Sequence, residues 1–342
     1  LPKPSLLLYP AAQFTGQLIT VDISIPRSVV DSLELSGDIL CPEHFPAFFS
    51  PRPRNSHKGT YGHLLIIAGS PGKTGAAVLA AEAALKAGAG LVTVAVPEPL
   101  NLVLESKLTE VMTLPLPGNH NYLHPDHLEV LQEATVGKSA LLIGPGLGTE
   151  LCVAECLKGL LQEIGVPLIL DADALNIVAS TPGPWFKSGV PVILTPHPGE
   201  FSRLVDLPPD QILREQLDLV PEFSTTNSCI MVFKTARTII AFPEGRYLVN
   251  TTGNPGMASG GSGDVLSGMI SGLTSRGIIP EQAVAAGVFW HGFAGDIAAM
   301  SIGEEEMVAG DIIQFMNKAR VYIQENPEFF NGSCIPYPDI QI

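Results

Sequence analysis

The chain has 342 residues, 46% of them apolar, which suffices for one large hydrophobic core or for one domain with a small appendage. Its 19 Lys and Arg residues against 34 Asp and Glu residues give a net charge of −15. No Lys/Arg-rich run interrupts this acidic background, so we expect no nucleic-acid partner. No stretch reaches about 18 uninterrupted apolar residues, so no membrane-spanning helix and no membrane partner are predicted.

The five cysteines are odd in number and lack the paired spacing of a disulfide framework or a zinc site. Cys152 and Cys156 are four residues apart on a predicted helix, which leaves a metal pair as the alternative to ordinary buried thiols. Free thiols fit a reducing compartment, and we expect a cytoplasmic protein.

The first 45 residues are predicted to form an extended arm punctuated by prolines, with one strand in the segment GQLITVDISIP. A linker is predicted near residues 42–58, where Pro, Arg and Asn accumulate. The arm begins with prolines where a signal peptide needs a continuous apolar helix, so no signal peptide is predicted.

From residue 63 onward, short apolar strands alternate with helices. The strands are predicted in HLLIIAGS, LVTVAV, ALLIGPG, PLILDAD and PVILTP, and the helices in GAAVLAAEAALKAG, LCVAECLKGLLQEIG and DALNIVAS. This alternation indicates an α/β fold with a mainly parallel sheet covered by helices on both faces. Three shorter strands, CIMVFK, RTIIAFP and RYLVN, predict an antiparallel edge, and three closing helices are expected at 263–276, 281–300 and 308–325.

The carboxyl ends of parallel strands form the usual ligand edge of such sheets. Glycine-rich or polar turns fall there: GSPGKTG, GPGLG, DADALN, TPHPGE and GNPGMASGGSGD. In GGSGD, glycine amides and a helix N-terminus form an anion cradle beside Asp264, whose carboxylate could deprotonate an attacking hydroxyl. The alternative is that Asp264 only caps the helix.

The other turns each leave two interpretations open. Lys234 and Arg237 in VFKTARTII either hold the phosphates and ribose of a nucleotide or belong to a solvated turn. His197, fixed between two prolines, either contacts a ligand or is structural. Asp171 and Asp173 lie on one face if the strand continues, where they could organise Mg²⁺ through water; helix capping by Asp173 is the alternative. GSPGKTG lacks the spacing of a phosphate loop and is predicted to be a substrate-side turn with Lys73 near a phosphate.

Taken together and in this order, the motifs KGTYGHLLIIAGS, GPGLG, DADALN, TPHPGE and GNPGMASGGSGDVLSGMISGL closely resemble the ADP-dependent NAD(P)H-hydrate dehydratases over roughly residues 55–325. The resemblance implies a ribokinase-like, doubly wound sheet. Residues 1–45 are similar to the tail of the NAD(P)H-hydrate epimerase domain that precedes the dehydratase in bifunctional repair enzymes. We therefore expect a C-terminal portion: an epimerase remnant at 1–45 and the dehydratase domain at 46–335, without epimerase activity.

The resemblance also implies the reaction and the roles of single residues. The S-form of NADH hydrate or NADPH hydrate (NADHX, NADPHX) loses water, with ADP as co-substrate, Mg²⁺ as cofactor, and AMP and phosphate as products. Asp264 would be the catalytic base, and a homotetramer is implied. The implied hydrate contacts are Ala76, Gly146, His197 and Asp264. The implied AMP contacts are Lys234, Thr235, Ala236, Arg237, Thr238 and Gly263. The implied anion hole consists of the amides of Gly260, Gly261, Ser262 and Gly263.

One position departs from the family pattern, which has glycine where Thr235 stands here. If that backbone needs a positive φ, threonine would strain it and weaken ADP binding. The alternative function is a ribokinase-like small-molecule kinase that uses ATP, and a non-catalytic nucleotide-binding module is a third possibility.

Overall fold

The computed structural model describes residues 3–16, 18, 23–33, 35–181 and 189–326. Within these residues, ten strands form one sheet in the order β1-β10-β9-β8-β7-β6-β5-β2-β3-β4. The strands are β1 Gly37–Ile39, β2 His63–Ile67, β3 Leu91–Pro97, β4 Met112–Leu116, β5 Ala140–Ile143, β6 Leu168–Leu170, β7 Val192–Leu194, β8 Ile230–Phe233, β9 Ile239–Ala241 and β10 Tyr247–Val249.

Only β9 runs against the rest of the sheet, because it pairs antiparallel with both β8 and β10 while all the other pairs are parallel. The predicted mainly parallel sheet is confirmed. The antiparallel segment is not the outermost element, since β1 pairs beyond β10. β1 and β4 were not predicted: β1 has only three residues, and β4 contains a proline that is compatible with an edge strand.

Twelve α-helices occur in the described residues: α1 Pro4–Leu7, α2 Arg27–Asp31, α3 Thr74–Ala87, α4 Glu98–Glu105, α5 Leu128–Thr135, α6 Leu151–Leu161, α7 Asp173–Ser180, α8 Pro198–Val205, α9 Pro209–Thr226, α10 Ser262–Ser275, α11 Pro280–Ile302 and α12 Ala309–Glu325. Four of them, α1, α8, α9 and α11, begin at a proline, whose fixed φ suits a first helical residue. The three closing helices match the predicted ranges within two residues.

Successive side chains along each strand point to opposite faces of the sheet, so the core has two layers. Leu64 and Ile66 of β2 face α3, α10, α11 and α12, whereas Leu65 and Ile67 face the layer that contains α6 to α9. Helices therefore cover both faces of the sheet, as the continuously apolar strands predicted.

Helices α3 and α10 pack with their backbones in close contact. A β-carbon on Gly268 would lie 2.2 Å from the carbonyl oxygen of Ala80, and one on Gly272 would lie 2.4 Å from that of Ala84. Both helices have their N-termini at the carboxyl edge of the sheet, so this packing fixes the two N-termini relative to each other.

Helix α11 is long and apolar enough to cross a membrane by length and composition, but 94% of the relevant window is buried inside the fold. It is the central core helix of its layer. Its apolar character therefore reflects packing on all sides.

The predicted linker is wrong in its first half. Residues 42–49 form two short 3₁₀ helices, and Phe45 and Phe48 are fully buried against α11. Residues 50–55 are exposed, as a linker would be. The strand predicted in GQLITVDISIP lies mostly outside the described residues, and the described residues 23–26 are not in a strand. The four described cysteines are free thiols, and Cys334 lies outside the description.

Candidate active site

The polar turns predicted to share one edge do come together there. Ser70 Oγ, in the turn after β2, donates a hydrogen bond to the carbonyl oxygen of Gly146 at 2.8 Å. The backbone N–H of Lys234, after β8, donates to the carbonyl oxygen of Pro196, after β7, at 2.8 Å. The carboxyl ends of neighbouring parallel strands are thus linked into one continuous surface.

The glycine cluster places unpaired amides at the start of α10. Gly261 precedes the helix with φ +97°, a conformation that favours glycine. Within the described residues, the amides of Gly260, Gly261 and Gly263 donate to no backbone acceptor, whereas the amide of Ser262 donates to the carbonyl oxygen of Ser259 at 3.4 Å. Three of the four predicted anion-hole amides are therefore available to an anion, at the positive end of the helix dipole.

Lys234 lies directly over this helix start. A β-carbon on Gly263 would be 3.3 Å from Lys234 Nζ, so a side chain there would crowd the ammonium group and the lysine would have to shift by a few tenths of an ångström. The same Nζ is 2.7 Å from Asp171 Oδ1. Burial favours a lower pKa for Lys234, but the carboxylates of Asp171 and Glu200 outweigh it and raise the pKa, so the side chain stays charged.

Asp264 sits in the first turn of α10 with its carboxyl largely removed from water. Burial, together with repulsion from Asp171, raises the pKa of Asp264 to about 7, even though the ammonium of Lys234 acts in the opposite direction. No hydrogen bond to this carboxylate is formed by the described residues, so Asp264 does not cap the helix. A carboxyl that titrates near neutrality beside an anion cradle is suited to general-base catalysis.

Asp171 and Asp173 do not face one side together, because the strand ends at Leu170 and Ala172 turns the chain with φ +51°. Asp171 is 1% exposed and accepts from Thr195 Oγ1 and Lys234 Nζ, both at 2.7 Å. Asp173 accepts from Lys73 Nζ at 3.1 Å and from the amide of Gly148 at 2.9 Å.

The premise of a shared face is therefore wrong, and so is helix capping by Asp173. Since both carboxylates already hold a cationic partner and Asp171 has no access to water, the pair does not fit a protein-held, hydrated Mg²⁺. Lys73, predicted to lie near a phosphate, is half-exposed and forms an ion pair with Asp173.

Ala76 and Gly146, both implied hydrate contacts, lie next to each other. Gly146 has φ +59°, and a β-carbon there would be 3.2 Å from the Ala76 side chain and 2.6 Å from the carbonyl oxygen of Lys73. The absence of a side chain at Gly146 thus lets two strand-end turns approach closely.

His197 caps α8 with its imidazole. Nδ1 accepts from the amides of Gly199 at 3.0 Å and Glu200 at 3.3 Å, which assigns the ring proton to Nε2. Burial and the nearby Lys234 lower the pKa of His197, so the ring is neutral. The half-exposed ring also lines a cavity of about 780 Å³. The structural and the ligand-contact interpretation are therefore compatible.

The turn 234–238 forms one wall of that cavity, and Ser262 and Gly263 form part of another. Thr235 does not have a positive φ, so the expected strain is absent. Instead, its hydroxyl accepts from the amide of Arg237 at 3.2 Å and donates to the Arg237 carbonyl oxygen at 2.7 Å. Arg237 in turn donates from its guanidinium to the carbonyl oxygen of Thr251. The implied AMP contacts and the anion cradle therefore border one space.

Two buried polar residues of α11 were not predicted. Asp296, which is 3% exposed, accepts from the amide of Gly253 at 2.9 Å and from Asn254 Nδ2 at 3.0 Å. His291 Nε2 lies 3.0 Å from the carbonyl oxygen of Ser262. Together they hold both ends of the loop 253–262. Their signal in the sequence is a histidine and an aspartate inside an otherwise apolar helix, where uncompensated polar groups are costly.

Comparison with known proteins places these features in a family. The profile of the NAD(P)H-hydrate dehydratases matches residues 64–318, which is more than half of the chain. A bifunctional NAD(P)H-hydrate repair enzyme Nnr from Moorella thermoacetica is 41% identical over 329 residues, covering 96% of this chain and 62% of the relative. The enzyme of the same name from Escherichia coli is 33% identical over 316 residues, covering 92% and 58%. The chain thus spans less than two thirds of the length of these relatives.

Among solved structures, the ADP/ATP-dependent NAD(P)H-hydrate dehydratase of Bacillus subtilis, co-crystallised with ATP and Mg²⁺, superposes with a TM-score of 0.72 at 31% identity. The match covers 82% of this chain and 96% of that one. Hydroxyethylthiazole kinase from Pyrococcus horikoshii shares the fold alone, with a TM-score of 0.52 at 14% identity over 79% of this chain and 91% of the kinase. The ribokinase-like fold expected from the motifs is confirmed, and the chain belongs to the NAD(P)H-hydrate dehydratase family.

Proposed function

We propose that the chain dehydrates the S-form of NADH hydrate or NADPH hydrate to NADH or NADPH and converts ADP to AMP and phosphate. The observation that carries this proposal is the meeting of three unpaired amides, the Lys234 ammonium and the carboxyl of Asp264 at the start of α10. Amides and an ammonium group would bind a phosphoryl group, and the carboxylate would activate the acceptor alcohol.

In the first step, Asp264 takes the proton of the C6 hydroxyl, and the hydroxyl oxygen attacks the β-phosphorus of ADP. The bond from that phosphorus to the bridging oxygen breaks, and AMP leaves. The amides of Gly260, Gly261 and Gly263 would stabilise the charge that develops on the transferring group. In the second step, the lone pair of the ring nitrogen expels phosphate from C6, and loss of a C5 proton restores the dihydronicotinamide.

Two sides of α10 would receive the two substrates. The nucleotide would enter the cavity between the turn 234–238 and Gly263. The hydrate would occupy the surface formed by Ala76 in the first turn of α3, Gly146 after β5 and His197 after β7. The phosphoryl group would pass between them at the helix N-terminus.

Mg²⁺ would arrive bound to the nucleotide phosphates, because Asp171 and Asp173 are occupied by Lys234 and Lys73. When bound, the ion would neutralise phosphate charge. The residues of this chain would supply the remaining positive charge through Lys234.

The domain division at residues 45 and 46, a cytoplasmic location and a homotetramer are further parts of this proposal. Phe45 and Phe48 pack into one core on either side of the proposed boundary. The remnant at 1–45 would therefore be attached to the dehydratase domain through packed residues. Size-exclusion chromatography with light scattering tests the tetramer: a monomer would contradict it.

The decisive assay follows the recovery of absorbance at 340 nm from NADH hydrate with ADP, with ATP or with neither. We expect recovery with a nucleotide only. Asp264→Asn should abolish recovery while leaving ADP binding intact, and Asp210→Asn, at an exposed position of α9, serves as the matched control. No recovery with either nucleotide would refute the proposal.

The ATP-dependent kinase remains the second candidate, because the same cradle and base could phosphorylate a small alcohol. It differs in its product: a kinase leaves a stable phosphate ester, whereas the dehydratase releases inorganic phosphate. Phosphorus NMR of the reaction mixture separates the two.

A further inference from the structure

Four cationic side chains surround the C-terminal end of α3, far from the site described above. They are Arg52, Lys86, Arg276 and Arg320. Helix α3 begins at Thr74 beside Gly146 and has 14 residues, so this end lies about 20 Å from the candidate active site at 1.5 Å per residue.

Backbone carbonyls and aromatic rings hold these side chains in place. Arg52 Nη2 donates to the carbonyl oxygen of Gly88 at 2.9 Å, and its guanidinium lies 4.0 Å from the centre of the Tyr61 ring. Arg320 Nη2 donates to the carbonyl oxygen of Phe48 at 3.0 Å and covers the Phe48 ring. Lys86 Nζ donates to the Ile313 carbonyl oxygen at 3.3 Å.

Arg276 lies close to Arg52 at the C-terminal end of α3, next to Gly88. A β-carbon on Gly88 would lie 2.8 Å from Arg52 Nη2 and 3.0 Å from Arg276 Nη1, so the two nitrogen atoms are within about 6 Å of each other. Arg276 lines a different pocket, so it adds positive charge next to Arg52 without facing the cavity described below.

No carboxylate neutralises this cluster within the described residues, since none of the ion pairs there includes any of the four side chains. Burial and repulsion from Arg320 and Arg52 lower the pKa of Arg276 to about 10. Such a concentration of like charge is unexpected in a chain with a net charge of −15.

The cluster also borders an open space. A cavity of about 570 Å³ is lined by Arg52, Lys86 and Arg320 together with Gln314 and Asn317. Each guanidinium has five N–H groups, and one of them is used in the contacts of Arg52 and of Arg320 described above. Most donors around the cavity are therefore available to a ligand.

We propose that this cavity binds a small molecule that carries a phosphate or pyrophosphate group. Guanidinium groups match the geometry of phosphate oxygens, the two amides can recognise its uncharged part, and an anion relieves the repulsion among the arginines. The site is separate from the nucleotide cleft and does not depend on the proposed reaction.

The probe is inorganic pyrophosphate. Because pyrophosphate would also bind at the nucleotide cleft, the titration uses the Lys234→Ala variant, in which binding at that cleft is weakened. Calorimetric titration of this variant should show one remaining site. Adding Arg52→Gln and Lys86→Gln, both at exposed positions, should weaken that site at least tenfold. Adding Lys107→Gln and Lys158→Gln instead makes the same change in net charge at exposed positions elsewhere and should leave binding unchanged.

The position of the ligand is checked by soaking crystals with tungstate, a heavy phosphate analogue. An anomalous peak between Arg52 and Arg320 supports the proposal. Three results would each overturn the proposal. The Lys234→Ala variant could show no remaining pyrophosphate site, or the Lys107→Gln/Lys158→Gln pair could weaken binding as much as the Arg52→Gln/Lys86→Gln pair. The third result is tungstate bound only at the start of α10. Arg52→Lys keeps the charge but not the planar guanidinium and should weaken binding by a smaller factor than Arg52→Gln.

Discussion

Lys234 Nζ lies 2.7 Å from Asp171 Oδ1 and at the same time 3.3 Å from the position that a β-carbon on Gly263 would take. The ion pair thereby holds a fixed positive charge over the start of α10. A charge already in place needs little rearrangement when a phosphoryl group arrives.

Lys234→Met should therefore destabilise the fold as well as weaken nucleotide binding. Asp171 is 1% exposed, and loss of its partner leaves a buried carboxylate, at a cost of about 3 kcal/mol in the free energy of unfolding. Denaturant unfolding measures this loss. The double variant Lys234→Met/Asp171→Asn should recover much of the stability but not ADP affinity; recovery of both would show that the charge does not bind nucleotide.

The rate of dehydration should depend on pH through Asp264. Burial raises the pKa of this carboxyl to about 7, and the base must be unprotonated to accept a proton, so kcat/KM should fall as pH decreases through about 7. Turnover measured from pH 5.5 to 9 tests this. Because Asp264→Asn should be inactive, the test is made on the unsubstituted enzyme, and a kcat/KM that does not fall as the pH decreases through about 7 would contradict the role of Asp264 as the base.

Thr235→Gly should raise the KM for ADP, although the family resemblance described above implies glycine at this position. The Thr235 hydroxyl bonds both the amide and the carbonyl of Arg237, and glycine would remove both bonds and loosen the turn. Thr235→Ser keeps the hydroxyl and is the matched control. A lower KM for the glycine variant would show that strain at Thr235 opposes binding after all.

Asp296→Ala should disturb the loop 253–262, which leads to the anion cradle at the start of α10. It would leave the Gly253 amide and the Asn254 side chain without their acceptor, which costs about 1–3 kcal/mol of stability per buried group. We expect a raised KM for ADP with a smaller change in kcat, because Asp296 positions the loop without facing the reacting atoms. Ser301→Ala, near the end of the same helix, should change neither constant; equal losses in the two variants would mean that α11 acts only through global stability.

Gly268→Ala should destabilise the protein even though alanine favours helices by about 1 kcal/mol over glycine. The new β-carbon would lie 2.2 Å from the Ala80 carbonyl oxygen and push α3 and α10 apart. Gly310→Ala in α12, where a β-carbon meets nothing within 4 Å, should instead be neutral or stabilising. Thermal melts of the two variants give the comparison, and a higher melting temperature for Gly268→Ala would contradict the packing.

Much of the architecture followed from the order of residues. Continuously apolar strands such as HLLII, alternating with helices that end in glycine, indicate a covered parallel sheet, because only a strand buried on both faces can lack polar positions. The glycine cluster before Asp264 likewise predicted an anion cradle, since local backbone conformation and the helix start depend on neighbouring residues.

Tertiary structure alone decided which of these groups meet. Asp171 and Asp173 are two residues apart, yet the turn at Ala172 separates them and gives each its own lysine, from positions 234 and 73. In the sequence, Phe45 and Phe48 belong to a predicted linker, but in the fold they are buried against α11. In the sequence, Asp296 is an isolated charge in an apolar helix, but in the fold it accepts a hydrogen bond from the amide of Gly253. Local sequence fixes φ and ψ preferences and periodicity, whereas burial and pairing of a polar group depend on residues distant in the chain, which only the folded structure brings into contact.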